Sequence, residues 1–336
     1  MSTVTLSLEQ AESLASAVLV RHATSDANAA SVARALVAAE VDGQKGHGLS
    51  RLPSYAAQAA SGKVDGYARP ALDQTATAAV RIDAANGFAF PAMALAVETL
   101  ATLVGATGVA AAAVHRSHHF GQAGYHVEQL AARGLLGLVF GNSPQAIAPW
   151  GGSTGVFGTN PIAFAAPRRS EPPLVIDLSL SKVARGKVMV AARQGEPIPE
   201  GWALDRDGKP TTDAEAALQG TMLPMGDAKG AALVMMVEIL AAALSGARFG
   251  FEASSFFTAE GQPPGVGQFL IAIDPAAFAG GAFVERIETL IAAILAQPGT
   301  RLPGTRRLAL RAAAARDGLA VPQALHEELQ SLSANA

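Results

Sequence analysis

The sequence predicts an α/β protein, and three observations carry that prediction. Segments of helical period occupy both ends of the chain. Short apolar runs of strand length, bounded by Gly and Pro, recur through its middle. The chain has 336 residues, half of them hydrophobic and 16% charged, enough to bury a large core.

In order, Ser7–Ala23 is predicted as a helix, because Ser7 and Gln10 have capping-box spacing and Leu14, Val18 and Leu19 share a face. A second helix covers Ser25–Val41, with Val32, Leu36 and Ala39 inward and Asp42-Gly43 as its stop. The loop Gln44–Gly48 leads to a third helix over Leu52–Ser61, which Gly62 breaks. Alternation at Ala79–Ile82 suggests a strand, followed by a helix around Pro91–Gly105 and a strand over Val109–Val114. A helix over Gly121–Gly134 precedes strands at Leu136–Phe140, Ile162–Ala166 and Leu174–Asp177. Lys229–Leu244 reads as a strong helix, its apolar side formed by Leu233, Met236, Val237, Leu240 and Leu244. Gly267–Ile273 reads as a late strand, Phe283–Leu295 as a helix, and the tail as polar helix. These patterns do not specify the strand order.

Composition removes several functions. The formal net charge is −3 and there is no long basic run, so nucleic acid has no electrostatic footprint. Cysteine is absent, which excludes disulfides and thiolate-bound zinc and fits a reducing compartment. The N-terminus lacks the basic start and apolar run of a secretory signal, so a cytoplasmic protein is expected. The apolar stretches Ala92–Val114 and Ala231–Leu244 contain Glu98 and Glu238 and read as core, not as membrane spans. No G-x-G-x-x-G follows an early strand; Gly265-Val-Gly267 lacks the third glycine and enters a strand. Walker A, H-E-x-x-H and G-x-S-x-G motifs are also missing.

Four clusters interrupt the apolar sequence with chemistry. In Gly46-His47-Gly48-Leu49-Ser50-Arg51, a histidine on approachable backbone can exchange a proton with a carbonyl or hydroxyl oxygen. Arg51, four residues on, suits a carboxylate. A histidine between glycines is equally compatible with a structural or surface position. In Ser117-His118-His119-Phe120-Gly121-Gln122, a strand-to-helix turn offers cofactor contacts, or else one buried, hydrogen-bonded ring. No acidic partner stands at metal-ligand spacing, so no metal is expected. The turns around Asn142-Ser143-Pro144 and Phe157-Gly158-Thr159-Asn160 gather loops at a sheet edge. Finally, Asp177-Leu178-Ser179 and Ala184-Arg185-Gly186-Lys187 precede Lys229-Gly230 at a helix start, where a lysine beside free N–H groups suits a diphosphate or is simply solvated.

Together, His47-Gly-Leu-Ser-Arg51, Ser117-His-His-Phe-Gly121, Phe157-Gly-Thr-Asn-Pro161, Pro199-Glu-Gly-Trp202 and Lys229-Gly230 resemble the malate/L-lactate dehydrogenase family of the non-Rossmann type. That family includes sulfolactate and ureidoglycolate dehydrogenases and the Δ1-piperideine-2-carboxylate/Δ1-pyrroline-2-carboxylate reductases. The resemblance covers nearly the whole chain. It implies a largely antiparallel sheet binding NAD or NADP at residues 76–284, and a helical region from 1–75 with 285–336 for substrate and homodimer contacts. It implies His47 as the acid/base, with His119 as a rival, Arg51 as the carboxylate clamp and Thr159 beside the substrate. His118, Phe120, Gly121, Gln122, Ser143, Asp177, Leu178, Ser179, Lys229, Gly230, Pro303, Gly304 and Arg306 would line the cofactor. Arg301, Arg306 and Arg307 are candidates for a 2′-phosphate.

Two departures bear on the substrate. Where many relatives carry Ser before the histidine, this chain has Gly46, and where imine reductases carry an Asp, it has Lys187. The expected substrate is therefore a small anionic 2-oxo or 2-hydroxy acid of the malate, lactate or sulfolactate type. Lys45 and Lys187 are placed to assist Arg51 with a dianion, and Lys187 joins the histidines as a candidate at the reacting centre. Cyclic imino acids are the alternative.

Overall fold

The computed structural model describes residues 2–334. Its centre is a seven-stranded sheet in the order Ala71–Ala76, Ala79–Asp83, Val109–Ser117, Val266–Ile273, Leu136–Gly141, Ile162–Ala166 and Leu174–Leu178. Every neighbouring pair is antiparallel except Ala79–Asp83 with Val109–Ser117. A parallel pair needs a crossover, and the helix Ala89–Thr107 provides it. That helix is long and apolar enough to cross a bilayer, yet it buries Ala92, Met93, Ala96, Val97 and Leu100 in the same core as strand residues Ile82, Val114 and Leu270. The α/β, largely antiparallel expectation holds.

The late strand Val266–Ile273 enters the middle of the sheet, joining sequence-distant strands. A bulge between Val266 and Gln268 marks its entry. Only glycine fits there: a Cβ on Gly267 would lie 2.0 Å from the Ala241 carbonyl oxygen.

A second core joins the two ends of the chain. The helix Leu8–Arg21 starts at the capping box of Ser7 and Gln10. With Asp26–Val41 and Leu52–Ala60 it buries Val18, Leu36, Leu52 and Tyr55 against Leu319, Val321 and Leu329. Antiparallel pairing of Thr3–Leu6 with Leu319–Pro322 fixes that meeting. A third core, around Ile147, Leu180, Val188, Val234 and Val237, lies on the opposite side of the chain's middle segment.

Three features differ from the sequence reading. Strand Ala71–Ala76 is exposed at every position and has no apolar alternation to reveal it. The segment after Ser181 forms a helix, Arg185–Gln194, and a small sheet of Ala203–Leu204, Pro210–Thr211 and Thr221–Met222, none of which the pattern indicated. The helix expected over Lys229–Leu244 runs Asp227–Glu238 and continues as a π-helical turn, Ile239–Ala243. Its buried face also differs, because Val234, Val237 and Glu238 turn inward while Met236 and Leu244 stay exposed. The Glu238 carboxylate sets that rotation, accepting hydrogen bonds from Asn142, Asn160 and the Gly250 amide.

Candidate functional site

The histidine loop is folded by its own backbone. It is two short 3-10 turns, Lys45–His47 and Leu49–Arg51, instead of the open loop read from sequence. Ser50 donates to the Lys45 carbonyl at 2.6 Å, and the Arg51 Nε donates to the Gly46 carbonyl at 2.6 Å. Beneath it the buried Glu40 accepts from the Leu49 amide at 3.0 Å. Gly48 passes so close that a Cβ would lie 2.2 Å from that carboxylate. The loop is therefore held rigidly, with His47 and Arg51 as its outward groups.

His47 meets the second histidine cluster directly. Its Nδ1 is 3.1 Å from His119 Nε2, and the two rings stack at 15° with centroids 5.1 Å apart. The Tyr55 hydroxyl lies 2.5 Å from His119 Nδ1. Tyr55 comes from the helix Leu52–Ala60 and is fully buried. Burial first, and the neighbouring Arg51 charge second, lower the His47 imidazole to about 4. The same causes hold His119 well below its ordinary value. Burial raises the Tyr55 phenol above its usual range. At neutral pH these three groups are uncharged.

Arg51 faces His47, His119 and Tyr55 and has no carboxylate partner among the described residues. Its guanidinium lies 4.4 Å from the centre of the Phe257 ring. One of its terminal nitrogens, Nη1, is buried with no hydrogen-bond partner. A buried, unmatched guanidinium is expensive, and an anion placed there would remove the penalty.

Behind the loop the charges are matched. Arg311 donates to Asp42 at 2.6 and 2.9 Å and to Glu128 at 2.8 and 2.7 Å. Arg307 joins the same cluster through Glu128 at 3.2 Å. Gln122 donates to Asp42 at 3.0 Å. Asp177 accepts from the Gly124 amide at 2.7 Å, and Gln44 also bonds it; burial nevertheless raises its carboxyl. Gln122, Asp177 and the Gly304 turn thus surround the start of the helix Ala123–Ala131 beside the histidine loop. Arg307 is engaged by Glu128, its Nε being buried without a hydrogen-bond partner, whereas Arg301 and Arg306 are exposed.

A second patch gathers Ser143, Thr159, Ser179 and the segment before Lys229. The Ser143 hydroxyl accepts from the Thr159 amide at 3.1 Å, and the Thr159 carbonyl accepts from Leu180. The Leu180 carbonyl in turn accepts from Met225, next to the Gly226 that starts the Lys229 helix. Gly230 packs against Met225 so closely that no side chain fits. Lys229 and Lys187 are exposed, as is Leu178. No hydrogen bond among the described residues joins Thr159, Lys45 or Lys187 to the His47 cluster.

His118 differs most from its expected role. Its ring is buried against Tyr55, Phe88 and Phe256. Gln58 donates through Nε2 to the Phe256 carbonyl, so its Oε1 accepts the His118 Nε2–H at 3.0 Å. The ring is a core group, its pKa lowered to about 3 by burial and then by Arg51 and Lys63. Phe120 and Gly121 are buried, Phe120 against Gly141 and Gly121 against Phe90. Pro303 and Arg301 line a cleft of about 340 Å³ with Arg168 and Leu308. Among the described residues no three His, Asp or Glu side chains converge on a metal position.

Sequence reasoning missed Tyr55, Gln58, Phe256 and Phe257. The first two stand four and seven residues after Arg51, which is one face of a helix. That spacing was available as a signal; the phenylalanines, distant in sequence, gave none.

A family model described as malate/L-lactate dehydrogenase matches residues 6–330. A (2R)-3-sulfolactate dehydrogenase (NADP(+)) of Chromohalobacter salexigens is 54% identical over 326 residues, covering 97% of this chain and 97% of that protein. A Delta(1)-pyrroline-2-carboxylate/Delta(1)-piperideine-2-carboxylate reductase of Pseudomonas putida is 42% identical over 336 residues, covering 98% and 96%. The crystal structure of a delta1-piperideine-2-carboxylate reductase from Pseudomonas syringae superposes with a TM-score of 0.93 at 43% identity, covering 98% of this chain and 100% of that one.

Proposed function

The chain belongs to the malate/L-lactate dehydrogenase family, and from that premise we propose that this oxidoreductase interconverts an anionic 2-oxo acid and its 2-hydroxy acid, of the sulfolactate type, with NADP. The observation that carries the reading is Arg51, a half-buried guanidinium with a buried, unpartnered Nη1 and no carboxylate partner among the described residues, beside the His47–His119 pair. A substrate carboxylate completes the missing ion pair and brings the adjacent carbonyl toward the imidazole.

The residues present fit a nicotinamide dinucleotide. The helices Asp227–Glu238 and Thr305–Asp317 begin at Gly226 and Gly304, both left-handed and neither with a side-chain cap. Their free N–H groups, with Lys229 and Arg306 alongside, suit phosphates, and Arg306 suits a 2′-phosphate. Ser143, Ser179 and Asp177 offer further polar groups for the cofactor. When bound, the nicotinamide supplies hydride for reduction and accepts it in oxidation.

The protein's part is proton transfer. Arg51 lowers the His47 imidazole in the free enzyme. Burial is the larger cause of that depression; a carboxylate on Arg51 cancels the smaller, coulombic part, which raises the imidazole and favours proton delivery to the carbonyl oxygen. In the reverse direction neutral His47 accepts the hydroxyl proton. In this division, residues 1–75 with 285–336 form the helical substrate and dimerisation region, its His47 and Arg51 being the acid/base and clamp, and 76–284 hold the cofactor with help from the Gly304 turn and Arg306. The same reading makes the enzyme a cytoplasmic homodimer, with the exposed Met235, Met236 and Ile239 as an apolar face for the second copy; sedimentation of a charged triple variant as monomer supports it, and an unchanged mass opposes it.

Reduction of a cyclic imino acid is a second reading, supported by the reductases at 42–43% identity. Gly46 and Lys187 weigh against it. Initial rates with NADH and NADPH against pyruvate, oxaloacetate, 3-sulfopyruvate, ureidoglycolate and pyrroline-2-carboxylate separate the two. The expected best pair is NADPH with 3-sulfopyruvate. A higher kcat/KM for pyrroline-2-carboxylate overturns the first reading.

A further inference from the structure

The buried chain Tyr55–His119–His47 has a direction. Among the described residues the Tyr55 hydroxyl has one hydrogen-bond partner, His119 Nδ1, at 2.5 Å. A fully buried hydroxyl proton needs an acceptor, so it points at that nitrogen. His119 then carries its proton on Nε2 and donates to His47 Nδ1 at 3.1 Å. His47 in turn carries its proton on Nε2, the ring nitrogen not used within the chain. We propose that Tyr55 is a positioning residue that sets this polarity, so that His47 offers an N–H donor to the substrate oxygen.

The polarity has a further consequence. Within the chain, His119 Nδ1 and His47 Nδ1 both already accept hydrogen bonds, so no lone pair is free to take a proton. Loading a proton from solvent requires reversal: the Tyr55 hydroxyl turns to accept from His119 Nδ1–H, His119 Nε2 becomes an acceptor, and His47, the half-exposed end of the chain, carries protons on both nitrogens. One proton has been added and none lost. Delivery from His47 Nε2 to the carbonyl oxygen then leaves a neutral chain of opposite polarity, with Nε2 bare and ready to accept a proton in oxidation. Reversal strands the Tyr55 proton, so Tyr55 opposes protonation of the pair. The charged and titratable groups around the chain act the same way: Arg51 faces all three members, His118 faces His119, and Lys63 faces His118.

This inference rests on the proposed acid/base role for the step, but its first test does not. Nitrogen-15 NMR of the histidine-labelled free protein is expected to find both His47 and His119 as the Nε2–H tautomer. Finding His119 protonated on Nδ1 overturns the proposal whatever the enzyme reduces. Tyr55→Phe keeps the ring among Phe88, His118 and His119 while removing the donor. It should shift His119 toward Nδ1–H and raise the pair's apparent pKa by roughly one pH unit, the equivalent of one hydrogen bond. The alkaline limb of the reduction pH profile should move by the same amount. A folded Tyr55→Phe protein with unmoved tautomers and pH limb contradicts it. Tautomers that behave as expected in a protein that reduces no 2-oxo acid would uphold the polarity and remove only the assigned reaction.

Discussion

Arg311 and Arg51 flank the same histidine loop under opposite conditions. Arg311, behind it, makes four short hydrogen bonds to Asp42 and Glu128. Arg51, in front, has a carbonyl, an aromatic face and one orphaned nitrogen. The matched cluster ties the helix Thr305–Asp317 to the end of Asp26–Val41. The unmatched one ties down only its own loop, through the Gly46 carbonyl, and it depresses the histidine beside it. A charge neutralised within the fold holds elements together, whereas one left bare in a pocket is a site for an external anion.

The comparison can be broken most forcefully at the reacting group. His47→Ala should lower kcat by about 10³-fold, in the range for a lost general acid, with little change in stability. Near-normal turnover would assign the proton to His119 instead. On the structural side, Arg311→Met removes four hydrogen bonds and leaves Asp42 and Glu128 to Gln122 and Arg307 alone; it should cost about 3 kcal/mol by denaturant titration, with kcat largely kept below the melting range. A stability change under about 0.5 kcal/mol would show that the cluster is not structural.

The histidines give a pH signature. His47, His118 and His126 titrate near 4, 3 and 4 in the folded chain, chiefly through burial. These values lie below the unfolded one, so the unfolded chain binds the extra protons. Stability is full above about pH 6.5 and is lost as pH falls from there toward 4. The buried carboxyls Glu40, Asp177 and Glu238 are raised and act in the opposite sense. A net loss of stability is expected between about pH 7.5 and about pH 5.5, and stability that is unchanged or higher at the lower pH would contradict the burial of these rings.

The smallest effect is expected at Gly46. A Cβ there meets nothing within 4 Å, so Gly46→Ser should change stability by less than about 0.5 kcal/mol. A rise in the kcat/KM ratio of pyrroline-2-carboxylate to 3-sulfopyruvate would identify this position as a substrate selector; no change would remove it from specificity.

What the sequence revealed followed how local the physics is. The Ser7 cap, the Phe283–Leu295 helix and the His47–Arg51 pair are specified by neighbours along the chain, and each was legible. The exposed edge strand Ala71–Ala76 was not, because its partner alone makes it a strand. Helix Asp227–Glu238 was found but its rotation was misread, since Glu238 turns inward only to meet Asn142 and Asn160. In the site, Tyr55 acquires its role only where the fold brings His119 to it.

The most direct test of the account is Arg51→Met, with kcat/KM for 3-sulfopyruvate and the melting temperature measured on the same preparation. Loss of a charge reserved for substrate predicts a fall in kcat/KM of about 10³-fold with a melting temperature equal to or above that of the wild type. A lower melting temperature with kcat/KM nearly unchanged would make Arg51 a second structural arginine and contradict the account.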